Sequence, residues 1–292
     1  MTTAPVHRLA LGVETLDAVT GRVTATALRV GRERPRGPGR RRSGRTRPLD
    51  PLLQRADTPL ESNGTGRHLL LHDLRRASAD RAGESAVVRI DDPWRRYVPR
   101  RLTVPLWTLA EVEAAEAAGG HIPVRSRLLR PWLWPGSAYL LPSGATGLRG
   151  IVYDAEGALP WPRVEARLDA TGALVGRAHG DERGEFLLVA TYLGVRDLNT
   201  ASTRIAVRIS VFGPRPAPEP AGPEGDPLAR LSVEQVPRTP DRPPPIDAAL
   251  DTPLMRGETL PQGYRQSTSG SVLVRLPPGR VLSEPVPFPF RP

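Results

Sequence analysis

A chain of 292 residues with 39% hydrophobic but only 5% aromatic side chains has room for two domains, with cores resting on Val, Leu, Ile and Ala. Its 34 prolines and 28 glycines exclude a mainly helical architecture, because both residues break helix interiors. The lack of any cysteine excludes a disulfide scaffold, a thiolate metal site and a Cys nucleophile. The net charge is +10 and every basic residue is arginine. Eight of these (Arg32, Arg34, Arg36, Arg40, Arg41, Arg42, Arg45 and Arg47) stand against the single Glu33 within Gly31 to Pro48, so this segment carries +7 of the total. No basic stretch followed by an apolar run opens the chain, and no apolar run reaches membrane-spanning length. The expectation is a soluble, cytoplasmic protein with no membrane span.

In chain order, residues 8–30 read as two strands around the Asp17 to Gly21 turn. Arg32 to Pro48 has no apolar periodicity and is expected to be a disordered insertion, 31–48. Asn63-Gly64 is a hairpin turn signal, followed by a strand at His68 to His72. Ala86 to Ile90 and Arg101 to Leu106 are further strands, separated by Asp91-Asp92-Pro93. Thr108 to Ala118 predicts the one helix, with Thr108 and Glu111 forming a capping box and Gly119-Gly120 stopping it. Pro131 to Pro142 is apolar and Pro-punctuated; it cannot be a regular helix and calls for burial. A second strand series follows at Leu148 to Asp154, Arg163 to Leu168, Gly184 to Val189 and Arg204 to Phe212, with a late strand at Ser271 to Leu276. Pro214 to Pro227 and Pro237 to Pro253 read as extended.

The residues LRGIVYDAEGALPWPRVEARL and GRAHGDERGEFLLVA, within 148–212, resemble the carboxypeptidase regulatory-like, or transthyretin-like, family. Asp181 can cap its own turn, Gly184 can take positive φ, and Phe186 can point into a sheet pair. Residues 9–106 look like a diverged copy: ETLDAVTGR parallels VYDAEGA, and SNGTGRHLLLHDL parallels GDERGEFLLVA. The resemblance implies an all-β fold of two tandem Ig-like or prealbumin-like β-sandwiches. The expected organisation is a first sandwich over 8–106, a helix and Pro/Trp-rich connector over 107–147, a regulatory-like sandwich over 148–213 and a Pro-rich C-terminal arm over 214–292. The layout also resembles accessory proteins of phage-tail-like contractile injection particles.

That resemblance implies a non-catalytic subunit of a multi-protein assembly, without a cofactor, in the cytoplasm or in a particle released on lysis. Trp132, Trp134, Tyr139, Phe288 and Phe290 are the expected partner-binding residues, since apolar groups on Pro-broken segments need a surface to bury against. The alternative is a ligand-binding module for carbohydrate or nucleic acid. It would use Trp107, Trp132, Trp134, Tyr139 and Trp161 as a carbohydrate platform, or Arg40, Arg41 and Arg42 as a polyanion site. No aromatics interleave with those arginines to stack bases, so nucleic acid is not expected. His179-x-x-Glu182 matches a zinc pattern of metallocarboxypeptidases, and His68 and His72 are four apart. Both lie in β or turn contexts without a third ligand, so no metal and no catalytic residue is expected.

Overall fold

In the computed structural model, which describes residues 9–24, 27–33, 57–72, 85–190, 204–215, 226–238 and 251–292, the alternating residues near the start form β1 (Leu9–Glu14), with Leu11 and Val13 buried. There follow β2 (Leu16–Asp17), β3 (Arg29–Glu33), β4 (Asp57–Pro59), β5 (Glu61–Ser62), β6 (Arg67–Leu71), β7 (Ser85–Asp91) and β8 (Arg100–Pro105). The Asn63-Gly64 turn joins β5 to β6 as antiparallel neighbours, and the Asn63 side chain accepts the Thr65 N–H at 3.0 Å. Helix α1 (Leu109–Ala117) starts on the capping box. Thr108 Oγ1 accepts the Glu111 N–H at 3.1 Å, and the Glu111 carboxylate accepts the Thr108 N–H at 2.8 Å.

Next come β9 (Leu128–Leu129), β10 (Trp132–Leu133), β11 (Gly147–Asp154), β12 (Gly157–Ala158), β13 (Arg163–Leu168), β14 (Leu174–His179), β15 (Glu185–Val189) and β16 (Ile205–Pro214). The chain ends on β17 (Val233–Gln235), β18 (Tyr264–Gln266), β19 (Val272–Leu276), β20 (Val281–Ser283) and β21 (Phe288–Pro289). The protein is all-β, with α1 the one α-helix among the described residues. No helix among them is long and apolar enough to cross a membrane.

Two cores organise these strands. The sheets β5-β6-β1-β9 and β17-β8-β7-β3-β4 contribute Leu11, Val13, Val30, Ile90, Leu102 and Val104 to the first. The sheet centred on β11, flanked by β15 and by β20 and β21, and the sheet β14-β13-β16-β18 with β19 contribute Leu148, Val164, Phe186, Ile209, Leu276 and Phe288 to the second. Period-two alternation explains most assignments. β15 departs from it by being apolar on both faces. Phe186 and Leu188 enter the second core, and the intervening Leu187 enters the first. One strand therefore serves both cores.

Three expectations about organisation are corrected. The connector 107–147 is partly woven into the first sheet pair, because β9 runs parallel to β1 and β10 parallel to β2. The C-terminal arm with its late strand is more extensively paired than expected: its described residues supply β17 to β21. β17 lies parallel to β8 on the first sheet pair, and β18 and β19 pair with β16 on the second. The proposed insertion begins later than Gly31, since Gly31, Arg32 and Glu33 pair with β4 and β7. Arg40, Arg41 and Arg42 lie outside the described residues.

Phe288 and Phe290, expected to anchor a partner, are 1% and 2% exposed within the second core of their own chain. The physical reason is a pair of seats made by glycine. A Cβ on Gly150 would stand 2.7 Å from the Phe288 ring and 2.8 Å from the Phe186 ring, and one on Gly213 would stand 2.9 Å from the Phe290 ring. Short parallel pairings of β20 and β21 with β11 hold the Pro-rich segment in place, and Pro289, paired opposite Tyr153, leaves the Phe290 N–H to reach the Tyr153 carbonyl. Phe288→Ala should lower unfolding stability by about 3–5 kcal/mol, and truncation after Leu282, which removes both Phe288 and Phe290, should lower the urea midpoint further. An unchanged urea midpoint in either protein would contradict this packing.

Candidate functional site

The two sheet pairs meet along a buried polar seam, and most residues singled out from the sequence converge there. β8 sets it up. Its successive residues Arg100 and Arg101 point to opposite faces, and each clasps the chain that returns after β16. Arg101 donates to both Glu33 oxygens at 2.6 and 2.8 Å and to the Leu231 carbonyl at 2.6 Å. Its neighbour on β7, Arg89, holds Asp226 through two bonds of 3.0 and 2.7 Å. Arg100 faces the seam. It donates to Glu234 at 3.0 and 2.5 Å, and to the carbonyls of Trp132, Met255 and Leu254 at 3.1, 2.7 and 2.7 Å. All five guanidinium N–H groups are thereby used.

The aromatic residues line the same seam. Tyr97 and Tyr139 both donate to Asp17 Oδ2, at 2.8 and 2.7 Å, while Asp17 Oδ1 caps its own turn by accepting from Val19 and Thr20. Burial first, and then these bonds to a carboxylate, push both phenols well above their ordinary range. Trp134 donates its indole N–H to the Arg256 carbonyl at 2.8 Å and stacks on His179 with ring centroids 5.2 Å apart. Trp132 is half-buried beneath the Arg256 guanidinium. Trp161 is buried with Val98, Leu228 and Leu231 and takes a φ of 59°. That left-handed conformation costs about 1–2 kcal/mol for a residue with a Cβ and is held by Trp161 N–H to the Asp181 carbonyl and Tyr264 O–H to the Trp161 carbonyl. Trp107 is buried beside α1, with Val112 and Ile122. An open carbohydrate platform of these five aromatics is thus corrected to internal packing.

The turn at Asp181 behaves as its residues suggest. Asp181 Oδ1 accepts the N–H groups of Arg183 and Glu185 at 2.9 and 3.0 Å, and Gly184 takes φ 75°. His179 and Glu182 do not converge. The imidazole is buried with Nε2 2.8 Å from the Gly257 carbonyl, whereas Glu182 forms an ion pair with Arg95 at 2.6 Å. His68 is buried on β6, where desolvation pushes its imidazole down. Among the described residues no cluster of three or more His, Asp or Glu is arranged to hold a metal.

A cleft of about 180 Å³ opens at one end of the seam, between the β7–β8 turn and the Asp181 turn. Four of its residues are acidic: Asp91, Asp92, Asp181 and Glu182. Asp92 is consumed by the Trp94 and Arg96 N–H groups and by the Arg96 guanidinium. Burial pushes the Asp91 carboxyl up, against the pull of Arg29 and Arg89. The sequence pointed to the aromatics but not to the arginine clasps, because Arg100 and Arg101 look like two more members of an Arg-rich composition. A charged pair inside an otherwise apolar strand was the available signal.

No family model, curated protein or solved structure matches the chain.

The seam carries one pH dependence. Burial, reinforced by the nearby Arg163 and Arg100 cations, holds the His179 imidazole well below its ordinary 6.5. The unfolded chain takes up a proton below about pH 6.5 that the folded chain refuses, so stability should fall as pH drops from about 6.5 to 5. Above that window the group is neutral in both states and contributes nothing. Urea unfolding at pH 7.5 and 5.0 should show a larger acid loss in the wild type than in His179→Asn. Equal losses would contradict a neutral buried imidazole.

Proposed function

We propose that this chain is a non-catalytic structural subunit: two prealbumin-like sandwiches locked into one rigid spacer that displays contacts to other proteins. The observation that carries this reading is the returning chain, described over residues 226–238 and 251–258. It is clamped by Arg89, Arg100 and Arg101 on one side and by Trp134 and His179 on the other. A chain that crosses back between its two halves gives up relative motion, which suits a spacer better than a hinged ligand cleft. Four of the buried carboxylates support the same reading, because Asp17, Asp92, Asp181 and Glu234 each accept hydrogen bonds from their own protein.

A surface for partners is available where the seam reaches solvent. Trp94 is 69% exposed and Leu140 is 88% exposed. The segments that carry them are tied together by Gly136 N–H to the Arg96 carbonyl and Ala138 N–H to the Arg95 carbonyl, at 2.7 and 3.0 Å. Exposed apolar groups on a rigid frame favour protein contact, since no loop-ordering cost precedes binding. The finer reading, a cap, baseplate or accessory component of a contractile injection particle, rests on the sequence resemblance. Tested in the native host, the wild type should co-sediment with a high-mass particle. Trp94→Ser/Leu140→Ser should remain free in the supernatant with its melting temperature within a degree or two of wild type. A wild type that sediments alone, or a double variant that is recruited as well as wild type, would overturn the proposal.

A further inference from the structure

Arg100 and Arg163 are both buried in the seam, yet only Arg100 has a carboxylate partner. Arg163 is 5% exposed and stands directly opposite His179 across the β13–β14 ladder. Its Nε and Nη1 are buried without a hydrogen-bond partner. The Tyr264 ring lies 5.7 Å from the guanidinium carbon, a contact that offers attraction but no hydrogen-bond acceptor in the guanidinium plane. Glu234, the carboxylate that Arg163 feels electrostatically, already receives two bonds from Arg100.

A buried guanidinium does not escape this position by losing its proton, as a lysine or histidine does. An unpaired buried charge costs several kcal/mol, so the seam holds an uncompensated cation. The neighbouring imidazole adds none of the missing negative charge. With Nε2 directed at the Gly257 carbonyl, which only accepts, the proton sits on Nε2 and Nδ1 keeps its lone pair, and Nδ1 too has no partner. A water bridging Arg163 to Nδ1 would complete hydrogen bonds but would leave the charge. An anion accepts from both free donors of Arg163 and supplies the missing charge; Nδ1, itself an acceptor, is not its ligand.

We propose that the seam is an anion site in which the free Nε and Nη1 of Arg163 hold a small monovalent anion of the chloride class. The ion completes the charge balance between the β13–β14 ladder and the returning segment, and so acts as a third clamp beside the arginine–carboxylate pairs. A small monovalent ion suits the two free donors, whereas phosphate-sized anions require more donors than Arg163 offers.

Two measurements test it on the full-length protein. Crystals grown in sodium bromide should show an anomalous peak within hydrogen-bonding reach of Arg163. In solution at constant ionic strength, replacing gluconate by chloride should raise the wild-type melting temperature saturably by a few degrees, because an ion that binds only the folded state stabilises it. Arg163→Met should lose the response, and the bromide experiment needs no variant should Arg163→Met fail to fold. Water in place of a bromide peak overturns the proposal. So does a bromide peak with no chloride dependence of melting, which marks an adventitious ion only, or a chloride response that persists in Arg163→Met.

Discussion

The pairing of Arg100 with Glu234 is the constraint on which the rest of the structure depends. The two side chains are 0% and 3% exposed, where two isolated charges would each cost several kcal/mol of desolvation. The cost is offset because every guanidinium N–H finds an acceptor and the carboxylate is met in bidentate geometry. Those acceptors come from three places: β17, the β10 backbone, and the 254–255 segment. One side chain therefore fixes where the returning chain lies, which places Trp134 over His179 and sets the entry of β18 into the second sheet. Arg163 shows the opposite case within the same seam, a buried guanidinium whose chain partners are missing.

Sharing a strand between cores reinforces this. Leu187 of β15 is buried in the first core while its neighbours Phe186 and Leu188 are buried in the second. Removing either half would expose apolar surface worth roughly 1.5–3 kcal/mol per large side chain. Together with Trp161, held at positive φ between Pro160 and Pro162, the seam carries strain and burial that neither half can satisfy alone. Its chemistry is that of a joint: carboxylates, phenols and guanidinium groups face one another inward, and apolar groups such as Trp94 and Leu140 are left outward.

What was legible in the sequence was local. Arg163–Leu168 alternates and is β13; Thr108 with Glu111 marks the start of α1; Asp181 and Gly184 make their turn and aim Phe186 inward. The apolar run Phe186 to Val189 is the mark of a strand buried on both faces, though it does not say against what. β17, β20 and β21 were illegible because they are two- or three-residue strands in parallel pairings, whose existence depends on distant partners and not on their own pattern. Phe288 and Phe290 read as anchors in search of a surface, which they are. That the surface belongs to the same chain depends on the space at Gly150 and Gly213, far away in sequence.

The central claim is that both cores unfold as one unit because Arg100 and Glu234 lock them. Differential scanning calorimetry of the wild type and Glu234→Gln tests it most directly. The wild type should show a single transition whose calorimetric and van't Hoff enthalpies agree. Glu234→Gln should lose about 3–5 kcal/mol, since Arg100 is left buried without its counter-charge, and should separate into two transitions. Two independent transitions in the wild type, or a variant whose single transition is unshifted, would contradict it.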